Sequence, residues 1–86
     1  MTDITIYTAE PCGYCRRAKA LLQRKGVAFK EIDVSYDSAE RDRMTRLAGG
    51  ERTVPQIFIG QTHVGGCDEL YALNANGGLD PLLEMK

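Results

Sequence analysis

The sequence predicts an α/β fold: a four-stranded mixed sheet with helices on both faces, formed as a single domain over residues 1–86. Three observations predict it. Short runs of alternating apolar residues read as strands, and the segments between them carry apolar residues at helical spacing. The elements follow the order β-α-β-α-β-β-α, and the opening βαβ unit pairs its strands in parallel through a right-handed crossover. Cys12-Gly13-Tyr14-Cys15 stands at the first junction of strand and helix.

Ile4, Ile6 and Thr8 alternate with Thr5 and Tyr7, so Ile4 to Thr8 reads as the first strand. Residues 13–25 read as a helix, with Tyr14, Ala18, Leu21 and Leu22 on one face. Arg16, Arg17, Lys19, Gln23 and Arg24 fall elsewhere, on a solvated face. Gly26 supplies the helix stop. Val27 to Val34 is the second strand. Asp37 followed by Glu40 has the capping-box pattern and opens a helix that runs through Ala48 to Gly49-Gly50. Val54 to Ile59 is the third strand. Gly60 begins a tight turn into Thr62 to Val64, so the last two strands form a hairpin. Gly65-Gly66 precede a helix from Cys67 to Ala75, ended by Asn76-Gly77-Gly78. Asp80-Pro81 begin one last short turn that docks Leu82 and Leu83. Tyr7, Phe29 and Phe58 read as core, with Tyr71 beside them. This is the thioredoxin-like architecture.

Composition narrows the function. With 43% apolar residues in 86, there is material for one core and no room for a second. The net charge is −1 with both signs intermixed, so no nucleic-acid or polyanion surface is expected. No apolar run approaches the ~20 residues a membrane span needs. Met1-Thr2-Asp3 lacks the basic and apolar regions of a signal peptide, so a cytoplasmic location is expected. Structural disulfides are uncommon there, and three cysteines is an odd count for a disulfide framework.

Three motifs carry chemistry. A cysteine just before a helix start, as Cys12 is, sits near unsatisfied backbone N–H groups and the positive end of the helix dipole. That field favours the thiolate, the form that attacks disulfides. Cys15, one helical turn on, can reach back to close a small ring. Thr53-Val54-Pro55 places a proline at a strand start, where it removes a ladder donor. It reads as an edge-strand start or, with the C-x-x-C upstream, as a cis Val54–Pro55 bond beside Cys12. The latter leaves the Val54 N–H and C=O free to pair with an extended peptide. Gly65-Gly66-Cys67-Asp68 permits close backbone approach, then presents helix N–H groups to a carboxylate and the Asp68 carboxylate to an ammonium. Those two groups on one carbon describe the γ-glutamyl end of glutathione. The same residues alone also read as a glycine turn before an acid favoured by the dipole.

Cys12, Cys15, His63 and Cys67 include the donor types of a Cys₃His zinc site. A lone C-x-x-C opening an amphipathic helix fits redox chemistry better, so no metal is expected. His63 reads as a solvated strand position. Cys67 reads as a small residue of low reactivity whose backbone acts.

The three motifs in this order resemble the glutaredoxin family. The resemblance runs from Ile4 to Leu83 and is carried by Arg17 to Leu22, Thr53 to Ile59 and Gly65 to Leu73. It is greatest to small bacterial dithiol members. It implies a glutathione-dependent oxidoreductase acting on glutathionylated and disulfide-bonded proteins, with Cys12 as the attacking thiolate and Cys15 as the resolving thiol. It implies glutathione contacts from Tyr14, Arg52, Thr53, Val54, Pro55, Gly66, Cys67 and Asp68. It implies a monomer, or a dimer where Cys12 and glutathione hold a [2Fe–2S] cluster. Two departures stand out. Ala9 replaces the lysine common in the family, so weaker glutathione binding is expected, with Arg16, Arg52 and Gln56 as candidate substitutes. Gly13 replaces a common proline, a change also found in cluster-binding members.

Overall fold

The alternation in Ile4–Thr8 becomes β1, a strand with neighbours on both sides. The structure is a computed structural model and describes residues 3–84. After β1 come α1 (Gly13–Arg24), β2 (Lys30–Asp33), α2 (Ser38–Leu47), β3 (Gln56–Ile59), β4 (Thr62–Gly65), α3 (Cys67–Ala75) and α4 (Leu79–Leu83). The sheet order is β2-β1-β3-β4. β1 is parallel to β2 and antiparallel to β3, and β3 is antiparallel to β4. The expected four-stranded mixed sheet is therefore present. No helix among the described residues is long and apolar enough to cross a membrane.

Strand alternation sorts the side chains into two clusters. Ile4 and Ile6 of β1 join Ile57 and Ile59 of β3 on one face. Ala18, Leu21 and Leu22 of α1, Leu70 of α3, and Leu79 and Leu83 of α4 close over them. Full burial of one such leucine or isoleucine stabilises the fold by about 1.5–3 kcal/mol. Tyr7 points to the opposite face, where it meets Val34 and Met44. Phe58 packs there too, edge-on to Tyr7 at 5.8 Å.

Register then brings three chain segments to one end of the sheet. Tyr7 pairs with Gln56, so the end of β1 lies beside the start of β3. Ile57 pairs with Gly65, so the end of β4 lies there as well.

Several expectations are corrected. Tyr14 is 57% exposed, and Cys15 takes its place with Ala18, Leu21 and Leu22 on the buried face of α1. The second strand is shorter than Val27 to Val34, because the chain first unwinds from α1. Gly26 takes φ +72°, and the Val27 N–H donates to the Leu22 carbonyl. Val27 and Phe29 still pack on the core. The third strand begins at Gln56 rather than Val54, consistent with Pro55 having no N–H for a ladder. Asp37 caps α2 by accepting from the Glu40 N–H at 3.1 Å, but its own N–H donates to the Val34 carbonyl, so the box is half formed. The last helix starts at Leu79, one residue before Asp80, and Leu79 is fully buried where only Leu82 and Leu83 were expected to dock. Phe29, Phe58 and Tyr71 are half-buried rather than enclosed.

Met44 is the one buried side chain of α2, so it alone fastens that helix to the Tyr7 face. Met44→Ala is expected to destabilise the protein by about 2–5 kcal/mol in denaturant unfolding. An unchanged midpoint would show that α2 is held by other contacts.

Candidate active site

The end of β1 is pinned before the chain enters the C-x-x-C. The Thr8 hydroxyl donates to Glu31 Oε2 at 2.7 Å, and Lys19 Nζ reaches the same oxygen at 3.0 Å. The Thr8 bond, helped by Lys19, holds the Glu31 carboxyl below its ordinary value against the opposing effect of burial. The chain then turns through Glu10–Pro11, a cis bond for which the sequence held no signal. The Glu10 N–H donates to Ser35 Oγ at 2.7 Å and ties the turn to the loop after β2.

Cys12 caps α1. Its backbone is extended, and its Sγ accepts the Cys15 N–H at 3.1 Å. Serine or aspartate oxygen commonly fills this role; here a sulfur does. No acidic side chain stands in the first turn of α1 to compete for its positive end. A negative sulfur is therefore matched by the N–H donor and the helix field. Cys12 is partly exposed, whereas Cys15 is 2% exposed. Burial, then a hydrogen bond to the Cys12 sulfur, pushes the Cys15 thiol up to about 12. The two sulfurs thus have opposite environments: Cys12 is partly open and accepts an N–H, whereas Cys15 is enclosed and protonated.

The second segment faces the first. Val54–Pro55 is cis, as expected, and the Val54 carbonyl oxygen lies 3.9 Å from Cys12 Sγ. The third segment closes the other side. Gly65 takes φ +115°, and a Cβ there would meet Glu69 at 3.0 Å, so glycine is needed on both counts. At Gly66 a Cβ would lie 3.4 Å from the Pro55 carbonyl oxygen, which marks how closely the second and third segments approach.

Between them lies a groove of about 160 Å³. Tyr14, Thr53, Val54 and Pro55 line it from α1 and the proline segment. Gly66, Cys67, Asp68 and Glu69 line it from the start of α3. Of the residues singled out from sequence, Cys12 and Cys15 stand outside this lining, and so does Arg52. Its guanidinium lies 3.3 Å from Asp42, and its carbonyl accepts from the Arg41 guanidinium at 2.9 Å.

Glu69 is the groove residue the sequence reading missed. Its Oε1 accepts the Gly66 N–H at 2.7 Å, so that donor is already committed. The signal was there: an acid three residues after a helix cap is the return half of a capping box. Arg17 lies 6.0 Å from the ring of Tyr14 and 5.4 Å from that of Tyr71, whose hydroxyl donates to the Arg17 carbonyl. Cys67 is 4% exposed, and burial pushes its thiol up while the Arg17 charge opposes.

The candidate substitutes for the missing lysine are engaged elsewhere. Arg16 lies 3.8 Å from Glu10 on the surface, and Arg52 faces Asp42. Gln56 is buried and donates to Thr53. His63 is exposed on β4, as expected, and its ring also stacks on Phe58 at 4.8 Å with Nε2 2.7 Å from Gln56 Oε1. Among the described residues, no three His, Cys, Asp or Glu side chains gather into a metal-holding group.

The chain is similar to known proteins in sequence and in fold. The glutaredoxin family model fits residues 4–64. Glutaredoxin 3 of Escherichia coli (strain K12) is 56% identical over 84 residues, covering 98% of this chain and 100% of that one. The solution structure of a glutaredoxin from Brucella melitensis is 56% identical with a TM-score of 0.86, covering 98% of this chain and 90% of that one. The crystal structure of a buckwheat glutaredoxin–glutathione complex superposes at a TM-score of 0.86 with 32% identity, covering 95% of this chain and 76% of that one.

The contrast between the sulfurs has a direct readout. An acid raised on folding stays protonated at pH values where it would otherwise ionise, so the Cys15 thiol, pushed up to about 12, is mostly protonated from pH 8 to 10. Iodoacetamide at pH 8 to 10 is expected to modify native protein once, at Cys12, and denatured protein at all three cysteines; mass spectrometry reads the count. Equal labelling of Cys15 in the native protein would contradict this ordering.

Proposed function

The chain belongs to the glutaredoxin family of thiol–disulfide oxidoreductases, and from that premise we propose that it reduces protein–glutathione mixed disulfides and protein disulfides, with glutathione as reductant. The observation that carries this reading is the placement of Cys12 Sγ. It is held 3.1 Å from the Cys15 N–H and 3.9 Å from the carbonyl oxygen of Val54, a residue that lines the groove.

Glutathione lies with its cysteinyl residue paired to the backbone of Val54 and its γ-glutamyl end at the start of α3. Asp68 accepts from the ammonium group. Because Glu69 holds the Gly66 N–H, the carboxylate turns to the N–H groups of Cys67 and Asp68. The buckwheat relative in complex with glutathione supports this choice of ligand. Arg52, turned toward Asp42, serves the site only if its side chain swings away.

In the one-thiol cycle, the Cys12 thiolate attacks the glutathione sulfur of a protein–glutathione disulfide. A Cys12–glutathione bond forms, and the protein sulfur leaves as a thiolate that takes a proton from water. A second glutathione thiolate attacks the bound glutathione sulfur. Glutathione disulfide leaves, and the Cys12 thiolate returns. The Cys15 N–H and the end of α1 stabilise that leaving thiolate. In the two-thiol route, Cys15 loses its proton and attacks the Cys12 sulfur of a mixed disulfide with a protein; two glutathiones then reduce the ring. Glutathione mixed disulfides need only the first route, because Cys12 is the accessible sulfur and Cys15 is enclosed.

A second reading, a [2Fe–2S] cluster between two copies, rests on Gly13. Gly13 is exposed, and an added Cβ would touch nothing within 4 Å, so no local packing demands glycine there. Each copy offers Cys12 as its accessible thiol, so a cluster would draw its other ligands from glutathione. Catalysis needs no second copy, and we assign the monomer in the cytoplasm as the working form.

Cys15→Ser is expected to keep most of its turnover of a glutathionylated peptide and to lose reduction of a protein disulfide, while Cys12→Ser loses both. Loss of peptide turnover in Cys15→Ser would make the second thiol essential. No peptide turnover by the wild type would overturn the glutathione cycle and bring the cluster reading forward. A separate check concerns the missing lysine. One partly exposed charge contact is worth up to about 1 kcal/mol, so Ala9→Lys is expected to tighten glutathione binding by up to about fivefold in calorimetry. Unchanged affinity would mean that the site makes no use of a cation there.

A further inference from the structure

Gln56 is 3% exposed, and a buried amide must have its hydrogen bonds met. Its Nε2 lies 3.0 Å from the Thr53 carbonyl oxygen and 3.2 Å from Thr53 Oγ1. A carbonyl oxygen only accepts, so the NH₂ end of the amide must face Thr53. The Oε1 end therefore faces His63, whose Nε2 is 2.7 Å away. An amide oxygen also only accepts, so His63 must carry a proton on Nε2. The ring is held in plane by stacking on Phe58, its cross-strand partner, at 4.8 Å and 26°.

This chain of donors ends on the groove. Thr53 is restrained at both its carbonyl and its hydroxyl, immediately before the Val54 that faces Cys12 Sγ. Thr53 lines the groove beside Tyr14 and Asp68, whereas Gln56 and His63 do not. We propose that His63 and Gln56 are positioning residues: an Nε2–H to amide to Thr53 relay that fixes the groove wall against which glutathione lies. The proposal rests on the glutathione reading above and adds two residues from β3 and β4 that touch neither sulfur nor ligand.

Three replacements of His63 separate the relay from packing. His63→Phe keeps a ring over Phe58 and removes the donor. His63→Gln places an amide nitrogen where Nε2 stood, whereas His63→Asn places it where Nδ1 stood. One partly buried neutral hydrogen bond is worth up to about 1 kcal/mol, so His63→Phe is expected to raise KM for a glutathionylated peptide by up to about fivefold with kcat unchanged. His63→Gln is expected to restore KM and His63→Asn is not. In wild type, ¹⁵N NMR of the imidazole is expected to show the Nε2–H tautomer. A His63→Phe variant with wild-type KM, or an Nδ1–H tautomer in wild type, would overturn the relay while leaving the oxidoreductase reading intact. A wild type that does not turn over the peptide at all would overturn that underlying reading instead, and with it the relay's role.

Discussion

Helix α1 begins with N–H groups that need acceptors, and one of them is met by a sulfur rather than an oxygen. The Cys15 N–H donates to Cys12 Sγ at 3.1 Å, and the placement of both sulfurs depends on that cap. Capping stops the helix from running on into β1, so Cys12 remains extended and partly open to solvent. It also sets the phase of α1. With the cap at Cys12, Cys15 falls with Ala18, Leu21 and Leu22 on the side that packs against the sheet. One local bond therefore makes two chemically identical groups unlike: a sulfur facing donors and a thiol enclosed in the core. That asymmetry leaves one sulfur accessible for exchange and shields the other.

The sheet supplies what the cap cannot. Cys12, Val54 and Gly66 are far apart in sequence, and antiparallel pairing of β3 with both β1 and β4 brings them to one end. The order β2-β1-β3-β4 leaves the core on the side of α1, α3 and α4 and a smaller cluster under α2. The groove is thus a by-product of strand register. Moving β3 by one residue would turn Ile57 and Ile59 out of the core, so the buried isoleucines also guard the site geometry. Polar ties do the fine placement. Thr8 to Glu31 and Lys19 fixes where β1 ends, Glu10 to Ser35 fixes the turn, and Gln56 to Thr53 fixes the facing wall.

Charge at the groove is set by competition for partners more than by composition. Asp68 and Glu69 both stand in the first turn of α3, but Glu69 spends one oxygen on the Gly66 N–H. Arg16 and Arg52, which by sign alone could meet an anion, face Glu10 and Asp42. Arg17 is drawn instead to the rings of Tyr14 and Tyr71. Arg16 and Arg52 are therefore turned to acidic partners, and the described groove lining itself carries two acids and no cation.

Whatever depends on spacing along the chain was legible in the sequence. Alternation marked β1, the span from Cys67 to Ala75 marked α3, and Asp37 marked the cap of α2, because periodicity and capping are set by residues within one turn of each other. The C-x-x-C at a helix start and the proline segment were legible for the same reason. What needed tertiary structure was every choice among competing partners. Tyr14 or Cys15 could fill the buried stripe of α1; contact with α3 and the sheet decided for Cys15. Arg52 stood beside a groove residue in sequence, yet Asp42 on α2 held it away. His63 had no local reason to meet Gln56, and only the β3–β4 pairing placed them together. Sequence alone determined the order of elements and the position of the two sulfurs at the start of the first helix. The fold decided which donors, acceptors and charges are left free to meet a substrate, because those pairings join residues that only folding makes neighbours.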